Sequence, residues 1–182
     1  MKASRTALIS VLAAVALSGQ LHGGLQSDGR TAVLTDRPRC RFAWLGWDYT
    51  NISNPLLFTK NTLDRSMIGI MRIPVGDTLP RGKTKIARGM TTQQITSLLR
   101  ENLQGRVEKT ESIVFDRATI AETEAVRVRY VERTAPTKQG TEYGFIRDGF
   151  FFHILFIAVA GREYVSEQKD FERLASTFRV LE

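Results

Sequence analysis

The stretch EYGFIRDGFFFHILFIA, residues 142–158, decides the fold. At its centre Asp148-Gly149 separates two apolar runs. Both central positions of a tight type I′ turn need positive φ, and Asp-Gly adopts that conformation at low cost. Residues 142–147 and 150–158 are therefore expected to be two antiparallel strands. Upstream, over 125–134, Val126, Val128 and Tyr130 alternate with Arg127 and Arg129, the period-2 pattern of a strand with one dry and one wet face. Residues 107–118 supply another strand, and 137–140 suit a looser connection. The second half is thus expected to be a meander of antiparallel strands.

Two helices flank it. Thr91 or Thr92 can cap the first, Gln94 stands where a capping box wants Glu or Gln, and Gly105 can end it in a left-handed turn. Ile95, Leu98, Leu99 and Leu103 share one face. The second helix starts near Ser166, with Phe171, Leu174, Ala175 and Phe178 as its buried stripe. These elements predict an α+β domain: an antiparallel meander sheet with two amphipathic helices packed on it.

Towards the N-terminus, Phe42, Trp44 and Trp47 open the core, and strands are expected over 56–59 and 67–75. Residues 21–40, rich in Gly, Gln, Ser and Asp, read as a flexible tether. Before it, Lys2 and Arg5 precede an uncharged apolar run over 7–17 and then small and polar residues. That is the order of a secretory signal. The run is too short for a membrane span of about 20 residues. The expected organisation is a signal peptide over 1–20, the tether over 21–40 and one domain over 41–182. The expected location is periplasmic or secreted, with an anchor formed by an uncleaved signal as the alternative. A free thiol, Cys40, is the only cysteine, and it fits either an inert buried group or pairing between chains.

The chemistry on offer is sparse. Of two histidines, His22 falls in the tether and His153 in a run apolar on both faces, where a structural, hydrogen-bonded role is expected. Two distant histidines and one cysteine argue against a tetrahedral zinc site, no Gly-rich phosphate loop is present, and nothing calls for a cofactor. Glu122, Glu124, Glu142 and Asp148 read as the exposed sides and turns of strands. The aromatics read mainly as core, with Tyr143 and Phe145 left between core and outer face. No catalytic residue is assigned.

The formal charge is +7. Its excess gathers at Arg30, Arg37, Arg39 and Arg41 and, in a Pro- and Gly-punctuated loop over 78–89, at Arg81, Lys83, Lys85 and Arg88. An exported basic loop meets acidic envelope proteins and anionic membrane surfaces more often than nucleic acid. Arg81, Lys83, Lys85 and Arg88 are therefore the candidate contact residues, and no nucleic-acid partner is expected.

Three stretches carry a resemblance: Gly89-Met90-Thr91-Thr92-Gln93-Gln94 leading into Leu98-Leu99, the strand Val126-Arg127-Val128-Arg129-Tyr130, and the closing Phe171-Glu172-Arg173-Leu174-Ala175-Ser176-Thr177-Phe178-Arg179. From about residue 56 onward the chain resembles the PsbP-like superfamily, and within it the small bacterial envelope lipoproteins of the DcrB-like kind. The resemblance implies a curved antiparallel sheet with helices on its faces and non-enzymatic work as an accessory or binding protein of the envelope. It also implies a lipid-bearing cysteine, yet Gln20 follows Leu17-Ser18-Gly19. The rival readings are an enzyme whose carboxylates converge only in three dimensions, and a structural envelope protein that self-associates.

Overall fold

The computed structural model describes residues 24–50, 54–106 and 109–182. The signal-peptide reading of 1–20, His22 included in the segment that follows, lies outside them. Eleven strands and two helices are described, in the order β1 (Leu25–Ser27), β2 (Thr31–Leu34), β3 (Cys40–Ala43), β4 (Asp48–Tyr49), β5 (Leu56–Thr59), β6 (Ser66–Pro74), α1 (Thr92–Gln104), β7 (Thr110–Ile120), β8 (Thr123–Glu132), β9 (Lys138–Arg147), β10 (Phe150–Val159), α2 (Arg162–Thr177) and β11 (Arg179–Val180).

The expected meander is present as β7, β8, β9 and β10, each antiparallel to the next. Asp148 and Gly149 both take positive φ at the hairpin, as the turn type requires. Strands β6, β5 and β4 extend this sheet beyond β10, giving the order β4-β5-β6-β10-β9-β8-β7. A second, four-stranded sheet has the order β1-β2-β3-β11.

Strand alternation sends the large sheet's side chains to two cores. On one face Val126, Val128, Tyr130 and Phe151 pack against Ile95, Leu98, Leu99 and Leu103 of α1. On the other, Ile68, Ile70, Phe145, Phe152, Ile154 and Phe156 pack against Phe171, Leu174 and Phe178 and against Ala32, Leu34, Cys40 and Phe42 of the small sheet. Tyr143 and Phe145 therefore belong to the core. Each such large side chain, fully buried, contributes roughly 1.5–3 kcal/mol.

The tether reading gives way here. Ala32 and Leu34 are buried, and β1 and β2 form a hairpin over 25–34. Its turn is Asp28-Gly29, where Asp28 Oδ1 accepts from the amides of Arg30 (2.8 Å) and Thr31 (2.6 Å) and Gly29 takes φ 83°. These amide bonds hold the Asp28 carboxyl below its ordinary value. What looked like linker composition is turn chemistry. The domain begins at least as early as Leu25. The end of the chain closes over this hairpin: β11 pairs with β3, and Thr177 Oγ1 accepts from the Ala43 amide at 2.8 Å.

Both helix starts are informative. Thr91 caps α1 and Gln94 completes the reciprocal capping box, as expected. Helix α2 begins at Arg162, not Ser166, because Gly161 at φ 90° turns the chain directly out of β10. Gly105 follows α1 at φ −77°, so it is not a left-handed cap. It is glycine because a Cβ there would stand 2.7 Å from the Arg81 carbonyl oxygen.

Candidate functional sites

That close approach at Gly105 belongs to the way the basic loop is fastened. Leu79 and Ile86 are buried in the α1 core and pin the loop at two points. Between them the Glu101 carboxylate accepts from the amides of Lys83 (2.7 Å) and Thr84 (3.3 Å), and Asn102 Oδ1 accepts from the Arg81 amide (3.2 Å). The Thr84 side chain and the Lys83 amide hold the Glu101 carboxyl below its ordinary value. The loop's base is closed by reciprocal backbone bonds, Gly76 amide to Ile86 carbonyl and Ile86 amide to Asp77 carbonyl, each 2.8 Å. The segment is thus a strap over the last turns of α1. Lys83, Lys85 and Arg88 are exposed on it and Arg81 is half-buried. The structure brings all four candidate cations onto this strap. Among the described residues none of the four makes an ion pair.

A second constellation was not expected. Glu142, read as an exposed strand acid, is fully buried, and so is His153. They meet across β9 and β10, with Glu142 Oε2 and His153 Nε2 2.7 Å apart. Tyr130 donates its hydroxyl to Glu142 Oε1 at 2.5 Å. Arg106, just beyond α1, donates to the Tyr130 oxygen (2.6 Å), to Glu132 Oε1 (2.5 Å) and to Glu142 Oε1, and its guanidinium lies 4.8 Å from the Tyr130 ring centroid. The correction has a physical reason: a carboxylate can be buried where a cation and several donors replace its water.

The electrostatics follow from the same contacts. Burial pushes the Glu142 carboxyl up, but Arg106, His153 and Tyr130 outweigh it and hold it well below the ordinary value of 4.5. Burial also opposes charge on Arg106, and Glu142, Tyr130 and Glu132 more than restore it. Burial and the neighbouring carboxylates raise the Tyr130 phenol well above its ordinary range.

Two glycines flank Glu142 on its strand face, each under a bulky neighbour. A Cβ on Gly140 would fall 2.2 Å from the Tyr130 ring, which lies across it, and one on Gly144 would fall 2.7 Å from Phe151. A glycine inside a strand marks such a close approach. Gly140, Glu142 and Gly144 at alternate positions of one strand face were the available sign that Glu142 points inward against bulky neighbours.

The remaining assigned residues fall where expected. Glu122, Glu124 and Asp148 are exposed, and His153 is held in the core by a hydrogen bond. Cys40 is buried, and burial pushes its thiol up to about 12 despite the nearby Arg72. Among the described residues no group of three or more His, Cys, Asp or Glu is arranged to hold a metal ion. Among them, too, no helix is long and apolar enough to cross a membrane.

No family model and no curated protein matches the chain. Among solved structures, the solution structure of cyanobacterial PsbP (CyanoP) from Synechocystis sp. PCC 6803 is similar to it with a TM-score of 0.60 at 10% sequence identity, over 90% of this chain and 98% of that one. The chain has a PsbP-like α+β fold.

Proposed function

We propose that this chain is an exported, non-catalytic accessory or binding protein of the cell envelope, of the kind typified by small DcrB-like proteins. It engages an envelope protein or an anionic membrane surface through Arg81, Lys83, Lys85 and Arg88. The observation that carries this reading is the strap: four cations held on a loop fastened to α1, none in a salt bridge among the described residues, with Lys83 close enough to Glu101 to favour its charge. Fixed cations of one sign attract an acidic surface over a Debye length of about 10 Å at 0.1 M salt. Gln20 stands where a lipoprotein carries its acylated cysteine, so the protein is released into the periplasm or the medium after signal cleavage.

An enzymatic reading would draw on the Glu142–His153 pair. Both side chains are closed off from solvent, with relative exposures of 0%, and a substrate atom must come within hydrogen-bond reach of a general base. The pair is better suited to fixing the end of α1 to the sheet. The purified domain is expected to bind phosphatidylglycerol vesicles or captured envelope proteins at low salt and to release them as salt rises. Failure to bind either at low salt removes the strap from the account.

A further inference from the structure

The sheet has an end that the fold leaves open. Strand β7 is the last strand of the large sheet, and among the described residues no strand pairs with its outer side. Its inner face is covered: the Arg100 guanidinium of α1 lies 5.1 Å over the Phe115 ring, and Ile113 packs with the same core. Its other face is covered towards the end of the strand, where Ala118 and Ile120 join the other core, and is open around Val114. Helix α2 lies over β10 and reaches β9 through Tyr164, which hydrogen-bonds Thr141 at 2.6 Å, and its Tyr164 and Gln168 border the space beside β7 and β8. A groove of about 350 Å³ remains there, lined by Ser112, Val114, Arg129, Val131, Gln139 and Gln168 among others. Val114 is one of three exposed large hydrophobic side chains among the described residues, at 46%.

Charge on this face is uneven. Asp116 is shared by Arg127 (3.2 Å) and Arg129 (2.9 Å), and Glu111 by Lys109 (3.0 Å) and Arg133 (2.7 Å). Four cations thus surround two carboxylates, and Arg129, Arg133 and Lys109 remain largely exposed. A bare edge strand usually carries a device against pairing, such as a bulge or charge. Here the irregularity lies between Glu111 and Val114, and the ladder with β8 runs without interruption from Val114 to Ile120. The groove opens beside the irregularity, at Ser112 (φ 53°) and Val114, and the regular edge runs on from it to Ile120.

We propose that the outer edge of β7 and the adjoining groove form a docking site for an extended, acidic segment of a partner polypeptide, which adds to the sheet as a further strand. Main-chain bonds to β7 supply affinity in such a mode, and alternate side chains supply specificity. One side chain of the segment seats on Val114, and its carboxylates meet Arg129, Arg133 and Lys109. A second copy of this chain is the poorer occupant, because it would set the same excess of cations against itself. This site is distinct from the strap and does not depend on it.

The test is selection from a random dodecapeptide phage library on the intact protein, with Val114→Glu as the counter-selected variant. Synthetic copies of the enriched peptides are then titrated into ¹⁵N-labelled protein. The expected peptides are acidic and rich in β-branched residues, and they slow exchange of the outward amides between Val114 and Ile120. Val114→Glu and Arg129→Glu each weaken binding by about tenfold or more, while neutralising the strap leaves it unchanged. Both variants alter exposed side chains, and Arg129→Glu decides the matter should Val114→Glu not fold. The proposal is overturned if no acidic peptide is enriched, if enriched peptides bind Val114→Glu equally well, if anionic vesicles and not peptides protect β7, or if β7 is already protected in a homodimer.

Discussion

Glu142 shows how much rests on single side chains here. Its folded carboxyl is held below the ordinary 4.5, so its contribution to stability is fully present above that value and is lost as pH falls beneath it. Urea midpoints measured across the acid range should fall more steeply for the wild type than for Glu142→Gln. Equal slopes would mean that Glu142 is not ionised in the fold. Arg106→Ala, which leaves Glu142 and Glu132 buried without their cation, should cost about 3–5 kcal/mol in the same measurement. The Cys40 thiol, pushed up to about 12 by burial, should react with a thiol reagent only after denaturation; rapid reaction of the native protein would contradict its burial. Of these residues the sequence pointed correctly to His153 and left open Cys40, which the fold resolves as buried. It misplaced Glu142 because the partners that make its burial tolerable, Arg106 and Tyr130, sit 36 and 12 positions away, beyond any local pattern.

At the level of elements, the local signals carried most of the architecture. Asp148-Gly149 located the central hairpin, and the Thr91–Gln94 box located α1. Replacing Thr91 by Ala should lower stability by about 1 kcal/mol, read as a shift of the denaturation midpoint, since the Gln94 amide loses its acceptor. Asp28-Gly29 is the same dipeptide signal as Asp148-Gly149, but its flanks are short and only half apolar, so the composition of a linker masked a hairpin. The turn between β7 and β8 departs in another way: Ala121 and Glu122 both take positive φ without a glycine. Which strands join into a second sheet was beyond the pattern altogether. The β3–β11 pairing joins residues 40–41 to residues 179–180, and α2, which leads into β11, packs on β3 as well.

For the whole molecule, the fold divides the labour between faces. One face of the large sheet carries α1 and the strap, the other carries α2 and the small sheet, and the open end lies at β7. Composition foretold a basic domain, and the resemblance carried by three short stretches foretold the PsbP-like fold. Neither foretold that Glu101 and Asn102 would accept from the strap's backbone amides, with none of its four cations in a salt bridge among the described residues. The central claim is that these cations make the contact with an anionic partner. The most direct measurement compares the wild type with the variant Arg81→Gln, Lys83→Gln, Lys85→Gln, Arg88→Gln for binding to phosphatidylglycerol vesicles and to captured envelope proteins at low salt. The wild type should bind with an affinity that weakens as salt rises, and the variant should lose most of that binding with its fold intact. Equal binding by the two proteins would contradict it.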